Sequence, residues 1–198
     1  GIPLGVIAAV HQGKWQDRVS IFVSMLGISI PGFWLALMMV LLFSVKLGWL
    51  PPYGIGGPQY YILPIISNSI GSIAMNARQT RSGMLDVIRS DYVTTARAKG
   101  VKEHDVIYKH ALKNALIPII TLLGSAFGAS LGGTVVTETI FVMPGIGLYM
   151  TNGINNLDYP IVRSCVVILA IIFSFIMLAV DLIYAMVDPR IKAEYIGK

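Results

Sequence analysis

Long apolar runs separated by short polar segments dominate the pattern of side chains along this chain. Val19–Val45 carries no charged side chain and is longer than the about 20 residues that a helix needs to cross a bilayer. Pro31 and Gly32 interrupt this run, which membrane helices tolerate where neighbouring groups satisfy the freed backbone. Further spans are predicted at about Tyr61–Met84, Asn114–Thr137 and Ile161–Val187. The pattern therefore predicts an all-α, polytopic transmembrane helical bundle with four complete spans.

The segments between these runs have other compositions. Gly48–Tyr61 contains Pro-Pro, Gly-Gly and Gly-Pro pairs, which mark a loop, and Trp and Tyr residues that suit a membrane–water interface. Phe141–Pro160 is rich in Gly and Asn and is predicted to be a loop or a re-entrant piece. Gly1–Val10 is apolar but too short to span a bilayer, and it lacks the basic start of a signal peptide. We interpret it as the end of a fifth span whose beginning is missing.

Composition agrees with a membrane protein. Only 13% of the residues are charged and 55% are hydrophobic, whereas about a quarter of a typical soluble domain is charged. The net charge of +5 would suit a nucleic-acid partner, but the charge is not spread over a soluble surface, so none is expected. The single cysteine, Cys165, excludes an intrachain disulfide and lies in an apolar run, where it is interpreted as a small buried hydrophobe.

The basic residues predict the orientation of the spans. All Lys and Arg residues except Lys46 and Arg163 fall before the first span, from the inner end of the second span to the start of the third, or after the fourth. Segments rich in Lys and Arg remain in the cytoplasm. Both ends of the chain are therefore expected at or near the cytoplasm, which an even number of complete spans also requires.

The loop from Met84 to Lys113 is predicted to be helical. Apolar residues recur at helical spacing on both sides of Gly100, which follows the cations Arg97 and Lys99 as a helix-ending glycine would. Glu103 and Asp105 lie where the next helix would begin, and anions are favoured at the start of a helix. The loop is therefore interpreted as helix, glycine turn, helix on the cytoplasmic face.

This loop has a plain alternative interpretation as a solvated basic segment that only fixes topology. Thr94, Thr95, Ala96 and Ala98 argue against it, because they give the first helix a small, flat side beside the turn. A loop that needs only solubility has no reason to be small-sided, whereas a surface that fits a groove of another protein does.

The order of motifs along the chain resembles a known family. The loop sequence DYVTTARAKGVKEHDVIYKHALKNALIPIIT resembles the cytoplasmic signature loop of ABC-importer permeases, and more narrowly of the dipeptide, oligopeptide and nickel permeases. Five further stretches resemble that family in the same order: GIPLGVIAA, SIPGFWLALMMVLLFSVKLGWLP, RQTRSGMLDVIRSDYV, GGTVVTETIFVMPGIG and DLIYAMVDPRI. The resemblance covers essentially the whole chain, and implies that the family's first span and most of its second are missing from it.

The signature departs from the general pattern of such permeases, which is Glu-Ala-Ala, three residues, Gly, nine residues and Ile-x-Leu-Pro. Thr94–Ala96 occupies the first positions and Gly100 the glycine, while His110, Leu112 and Lys113 stand where Ile, Leu and Pro would be. The peptide branch reads ARAKG and HALRNALIP instead, which this chain nearly matches. The departure therefore favours that branch.

The resemblance implies a fold and a function. Residues 1–198 would form a single, N-terminally truncated permease domain of the type I ABC-importer kind, in a bacterial or archaeal plasma membrane. It would import peptides, with nickel or glutathione as alternatives. The loop 84–113 would dock one helix on an ATPase through Thr94, Thr95, Ala96, Arg97, Ala98, Lys99, Gly100, Val101, Lys102 and Glu103.

The same resemblance implies partners. They would be a second related permease, two ATP-binding subunits on the cytoplasmic side, an external substrate-binding protein and the lipid bilayer. ATP and Mg²⁺ would be used by the ATPases. This chain has no Walker A pattern and is expected to bind no cofactor and to have no catalytic residue.

Small residues recur within the predicted third span. Gly124, Gly128 and Gly132 are spaced by four, as in helices that approach closely, so a helix-packing role is predicted. A sliding interface during transport is compatible with that role.

Other polar residues leave alternatives open. Ser67, Asn68, Ser69 and Asn76 in the second span would line a polar path or bond to neighbouring helices. Asp181 would form an ion pair or a cap, and it also motivates a rival interpretation as an intramembrane enzyme. A structural membrane scaffold is a second rival. His11, His104 and His110 are too scattered for a metal site, so none is expected.

Overall fold

The computed structural model describes residues 1–116, 119–120, 124, 126 and 135–187. Helices dominate the described residues, which contain no β-strand. By Cα packing the chain divides into two units, one formed from residues 1–29, 71–123 and 183–198 and the other from residues 30–70 and 124–182. The prediction of a single transmembrane domain over residues 1–198 stays a prediction.

The first unit begins with two helices. Helix α1 is Ile2–Val10 and helix α2 is Trp15–Ser29, joined by a turn in which Gly13 has a φ of 79°. Helix α4, Gln59–Ile88, begins in the second unit and contributes its residues from Gly71 onward to the first. Helix α5 is Asp91–Ala98 and helix α6 is Glu103–Asp105, which continues as a π-helix over Val106–Ala111 and as α-helix over residues 112–116.

The core of the first unit lies where α1, α4 and the loop helices meet. Its fully buried side chains include Met84 of α4 and Val93 of α5, both with no exposed surface. The complete set is Val6, Ala9, Met84, Val93, Val106, Ile107, Ala111 and Ala115. Five of these eight residues belong to the predicted loop 84–113. This apolar core packs the loop helices against α1 and α4.

The second unit contains helix α3, Gly32–Met39, which continues as a π-helix over Val40–Lys46. It also contains α7, Val135–Ile140, α8, Ile146–Asn155, and the part of α9, Tyr159–Val187, that ends at Leu182. Its core is formed by Ala36, Met39, Leu63 and Phe141. The irregular stretch before α4, predicted as a loop, is anchored by a hydrogen bond from the Gly54 N–H to the Phe141 carbonyl at 2.9 Å.

Two of the predicted segments can be compared directly with the helices. The first apolar run is interrupted at the predicted place, since α2 ends at Ser29 and α3 begins at Gly32, with Pro31 extended at its start. The middle of Phe141–Pro160, predicted as a loop or a re-entrant piece, is helix α8 and not a loop.

Only part of the predicted span count can be compared with the described helices. By length and composition Tyr159–Val180 is able to cross a membrane, with a mean hydropathy of 2.7, and Trp15–Ser29 with Gly32–Lys46 meets the same measure when taken as one broken span. Helix α4 has 30 residues but includes Asn and Arg side chains. The third predicted span lies largely outside the described residues, so the count of four complete spans stays a prediction.

Candidate functional site

Gly100 ends helix α5 in a geometry that favours glycine. Its φ is 76°, in the left-handed region, and no heavy atom lies within 4 Å of the place a Cβ would take. The Gly100 N–H donates to the Arg97 carbonyl at 2.9 Å and the Val101 N–H donates to the Ala96 carbonyl at 3.3 Å. This pair of bonds is the Schellman arrangement that closes many helices. Backbone conformation, not crowding, therefore explains the glycine.

One side of α5 is held by the core. Val93 is fully buried, and Ala96 and Val101 are partly buried and pack against the same apolar cluster. Val101 follows the turn, so both arms of the turn have an apolar contact with the cluster. The contact between residues flanking a Schellman turn commonly accompanies it. The helix and its turn are thus fixed to the unit as one piece.

The opposite side of α5 is exposed and small. Thr94, Thr95, Ala98 and Lys99 are exposed. The Thr95 hydroxyl donates to the Asp91 carbonyl at 2.8 Å and the Thr94 hydroxyl donates to the Ser90 carbonyl at 3.3 Å. Because both hydroxyls bond back to their own helix, their methyl groups remain to form the outer surface together with Ala98.

An arginine–carboxylate pair bridges the two arms of the turn. Arg97 donates to Glu103 through two bonds, Nε to Oε2 at 3.1 Å and Nη2 to Oε1 at 2.7 Å. The hydrogen bond from Arg97 holds the pKa of Glu103 below its usual value, and the same bond raises the pKa of Arg97. The side chains are 37% and 58% exposed, so water screens the pair. Its geometry fixes the direction in which α6 leaves the turn.

The residues after the turn form a second exposed group. Lys109 Nζ lies 3.0 Å from Asp105 Oδ1, one helical turn away, and this bond lowers the pKa of Asp105. The rings of His104 and Tyr108 lie 4.7 Å apart between centroids. Lys99 and Lys102 form no ion pair with any described residue, so their charge is available to a partner or to water.

The structure brings all ten predicted loop residues together around one turn. They are Thr94, Thr95, Ala96, Arg97, Ala98, Lys99, Gly100, Val101, Lys102 and Glu103. Ala96 and Val101 face the core rather than solvent, so they support the surface and do not form it. The docking role of the group stays a prediction.

The predicted packing glycines are only partly within the described residues. A Cβ at Gly124 would overlap the Val180 side chain of α9. Gly128 and Gly132 lie outside the described residues, and so does Asp188, while of Asp181 only its place in α9 is described. The packing role of the three glycines stays a prediction.

Gly1 and Gly5 allow a close contact between helices α1 and α4 that was not predicted from the sequence. A Cβ at Gly5 would lie 2.5 Å from the Ala77 carbonyl oxygen and from the Thr80 Cβ, and one at Gly1 would lie 2.7 Å from the Ile73 carbonyl oxygen. The four-residue spacing of these glycines, the same signal used for Gly124, was available in the sequence. It lets α1 lie directly against α4.

A buried ion pair was also missed. Asp17 near the start of α2 is almost fully buried, and Arg81 of α4 donates to both of its oxygens, with Nη2 to Oδ2 at 2.9 Å. The Gly13 N–H donates to the same carboxylate at 2.9 Å. The only local signal for this pair was the position of Asp17, an acid just before the first predicted span. Its partner Arg81 lies 64 positions away.

In the second unit a carboxylate closes the start of α8. The Leu148 N–H donates to Glu138 Oε2 at 2.9 Å, and a Cβ at Gly145 would overlap that carboxylate. An anion is favoured at a helix N-terminus, where backbone N–H groups lack partners. The two glycines flanking Ile146 therefore make room for the Glu138 side chain.

The polar residues of the second predicted span bond within the protein. The Ser67 hydroxyl donates to the Pro64 carbonyl at 3.1 Å, and the Thr137 hydroxyl donates to Asn68 Oδ1 at 3.0 Å. The bond to Thr137 favours the helix-packing alternative for Asn68, whereas Ser67 bonds within its own helix. Within the described part of the chain no group of three His, Cys, Asp or Glu side chains is placed to hold a metal ion.

Residues 1–193 match the family described as binding-protein-dependent transport system inner membrane component. A dipeptide transport system permease protein, DppB, of Alkalihalophilus pseudofirmus is 43% identical over 220 residues, which cover 97% of this chain and 66% of the relative. Glutathione transport system permease proteins, GsiC, of Escherichia coli K12 and Shigella dysenteriae are 42% identical over 192 residues, which cover 97% of this chain and 63% of each relative. The chain thus spans less than two thirds of the length of these curated relatives.

Proposed function

Because the chain belongs to the family of binding-protein-dependent transport system inner membrane components, we propose that it is part of a permease subunit of an ATP-driven peptide importer. It would form the translocation path and couple to a separate ATPase. The arrangement around Gly100 carries the proposal. A short helix is fixed to the core on one side and presents a small, exposed face on the other.

The coupling step follows from the way α5 is held. Closure of an ATPase pair moves its grooves as rigid bodies, and a helix seated in such a groove moves with it. Val93 and Met84 lie in the same apolar cluster, so displacement of α5 would be transmitted to α4. A flexible loop would absorb the motion instead. The packed turn is therefore suited to transmit force.

The small face of α5 suits a protein groove. With the hydroxyls of Thr94 and Thr95 bonded to their own helix, burying this face requires little loss of hydration. Lys99 and Lys102 at its edge would favour a groove with an acidic rim. The partners proposed are two ATP-binding subunits, a second related permease and an external substrate-binding protein.

Substitutions at one exposed position test the docking role. In the full-length permease, purified and reconstituted with its ATPase subunits and binding protein, Thr95→Trp should lower coupled uptake roughly tenfold or more because the large side chain cannot enter the groove. Thr95→Ala keeps the face small and should transport normally. Normal transport by Thr95→Trp, with normal folding, would remove α5 from the interface.

Glutathione is a second candidate substrate, since the GsiC relatives are nearly as similar as the dipeptide permease. Uptake of labelled dipeptide and of labelled glutathione by a strain that lacks its own systems separates them.

The cytoplasmic placement of the chain ends, the four spans and the single domain are part of the same proposal. Cysteine labelling from each side of the membrane at Lys14 and Lys46 tests the orientation.

A further inference from the structure

A cavity of about 240 Å³ in the first unit combines basic and hydroxyl groups with apolar walls. Ser20 and Ser24 line it from α2, one helical turn apart, and Arg78 and Arg81 line it from α4. Ligand pockets for drug-sized molecules have volumes of roughly 300–1,000 Å³. The cavity is therefore suited to one small group rather than to a whole peptide.

The two arginines differ in what they already bind. Arg81 gives both of its bonds to Asp17, so the charge of that pair is neutralised within the protein. Arg78 forms no hydrogen bond or ion pair with any described residue, although it lies three residues away on the same side of α4. Among the described residues, Arg78 is therefore a positive charge of the cavity lining without an anionic partner, beside two serine hydroxyls that can donate to the same ligand.

The walls identify the kind of molecule that carries the anion. Ile21 and Met25 of α2 line the cavity beside the serines, so its α2 wall is partly apolar. On the same side of α2, Met25 is 53% exposed and Ile28, one turn further along, is 37% exposed. A free phosphate would use only the polar end of such a site, whereas a phospholipid would place its acyl chains along the apolar face.

We infer that this cavity binds the phosphate group of an anionic phospholipid, through Arg78 and the hydroxyls of Ser20 and Ser24. The inference rests on the proposed placement in a membrane, with Arg78 near the cytoplasmic surface. Basic pockets between membrane helices at that surface bind lipid head groups by the same chemistry. Because Arg81 is bonded to Asp17, Arg78 is the guanidinium of the described lining that would bind the lipid phosphate.

Binding of dioctanoyl-phosphatidylglycerol to the full-length permease in detergent tests the site. Wild-type protein should bind it more tightly than dioctanoyl-phosphatidylcholine, and Arg78→Gln should weaken that binding roughly tenfold or more, because a charge-assisted hydrogen bond is lost. Ser20→Ala with Ser24→Ala should weaken it less. Arg89→Gln, which removes an exposed arginine outside the cavity, should bind as the wild type does.

Equal binding by Arg78→Gln and the wild type would overturn the inference. So would inorganic phosphate that displaces the lipid at matched concentration, since the acyl chains would then contribute nothing, or a cargo dipeptide that displaces it, since the site would then belong to the transport path. The measurement needs no ATPase or uptake, so a failed peptide-transport assay leaves its result intact.

Discussion

Two arginine–carboxylate pairs in the first unit have the same bidentate geometry and different surroundings. In the first, the Asp17 side chain is 4% and Arg81 23% exposed; in the second, Arg97 is 37% and Glu103 58% exposed. A buried pair that loses one partner leaves a charge without water, whereas exposed ions regain their hydration. The Asp17 pair is therefore expected to hold α2 against α4, and the Arg97 pair to orient a turn.

The two ion pairs are expected to differ in what they contribute, one to the stability of the unit and the other to the position of a turn. A change at Asp17 or Arg81 is therefore expected to lower the free energy of unfolding of the unit. The residues around Arg97 are held by Val93, Ala96 and Val101 from the core side. A change in the exposed pair should alter the direction of α6 and leave the folded protein intact.

The largest effect is expected from Arg81→Gln. It leaves the Asp17 carboxylate buried with only the Gly13 N–H as a donor, which should cost about 3 kcal/mol of the free energy of unfolding. Denaturant titration of the full-length permease in detergent measures it. The double variant Asp17→Asn with Arg81→Gln removes both charges and should recover part of the loss. A double variant as unstable as the two single losses added together would show that the ions do not interact.

Gly100→Val should have the next largest effect. A β-branched residue at a φ of 76° costs about 1–2 kcal/mol relative to glycine, and the turn can escape that strain by opening. ATP hydrolysis should then proceed with reduced uptake in the reconstituted complex, while membrane insertion is retained. Gly100→Asn is the matched control, because asparagine tolerates this conformation. Equal coupling by both variants and the wild type would contradict the importance of the turn.

Glu138 extends the comparison to a carboxylate whose partner is a helix N-terminus. Glu138→Ala should destabilise the protein by about 1 kcal/mol through the loss of the bond from the Leu148 N–H. Glu138→Gln keeps an acceptor and should lose less. Thermal midpoints of the full-length permease in detergent measure the difference, and an alanine variant as stable as the wild type would exclude a capping role.

The smallest effect is expected from Glu103→Gln, at most about 1 kcal/mol and less at high salt. Arg97 keeps the pKa of Glu103 below its usual value of 4.5. The contribution of this pair is therefore present at neutral pH and is lost as the pH falls below 4.5 and through the lowered pKa of the folded protein. Stability of the wild type and Glu103→Gln should converge on acidification. A difference that grows instead would show that the pair does not stabilise the turn.

Local signals predicted a large part of the candidate site. The glycine after Arg97 and Lys99 ends a helix in the structure as the sequence indicated, because left-handed backbone and a favourable end charge depend on neighbours in the chain. The pairing of Arg97 with Glu103 was not predicted, although the two lie only six positions apart, since it needs the turn to bring both arms together. The segment that contains α8 was predicted only as a loop or a re-entrant piece, because its Gly and Asn residues suggest a loop and its cap, Glu138, lies ten positions from Leu148.

By itself the sequence determined that the chain is helical and rich in apolar surface, that Pro31 interrupts its first long run, and that a glycine turn divides the loop of residues 84–113. Each of these follows from spacing, backbone preference or composition within a few residues. Only the tertiary structure decided that Arg81 neutralises Asp17 while Arg78 has no partner among the described residues, and that Gly1 and Gly5 let α1 lie against α4. These contacts join segments that are far apart in the chain. Which of two similar residues, such as Arg78 and Arg81, binds a given partner therefore depends on their distances in space.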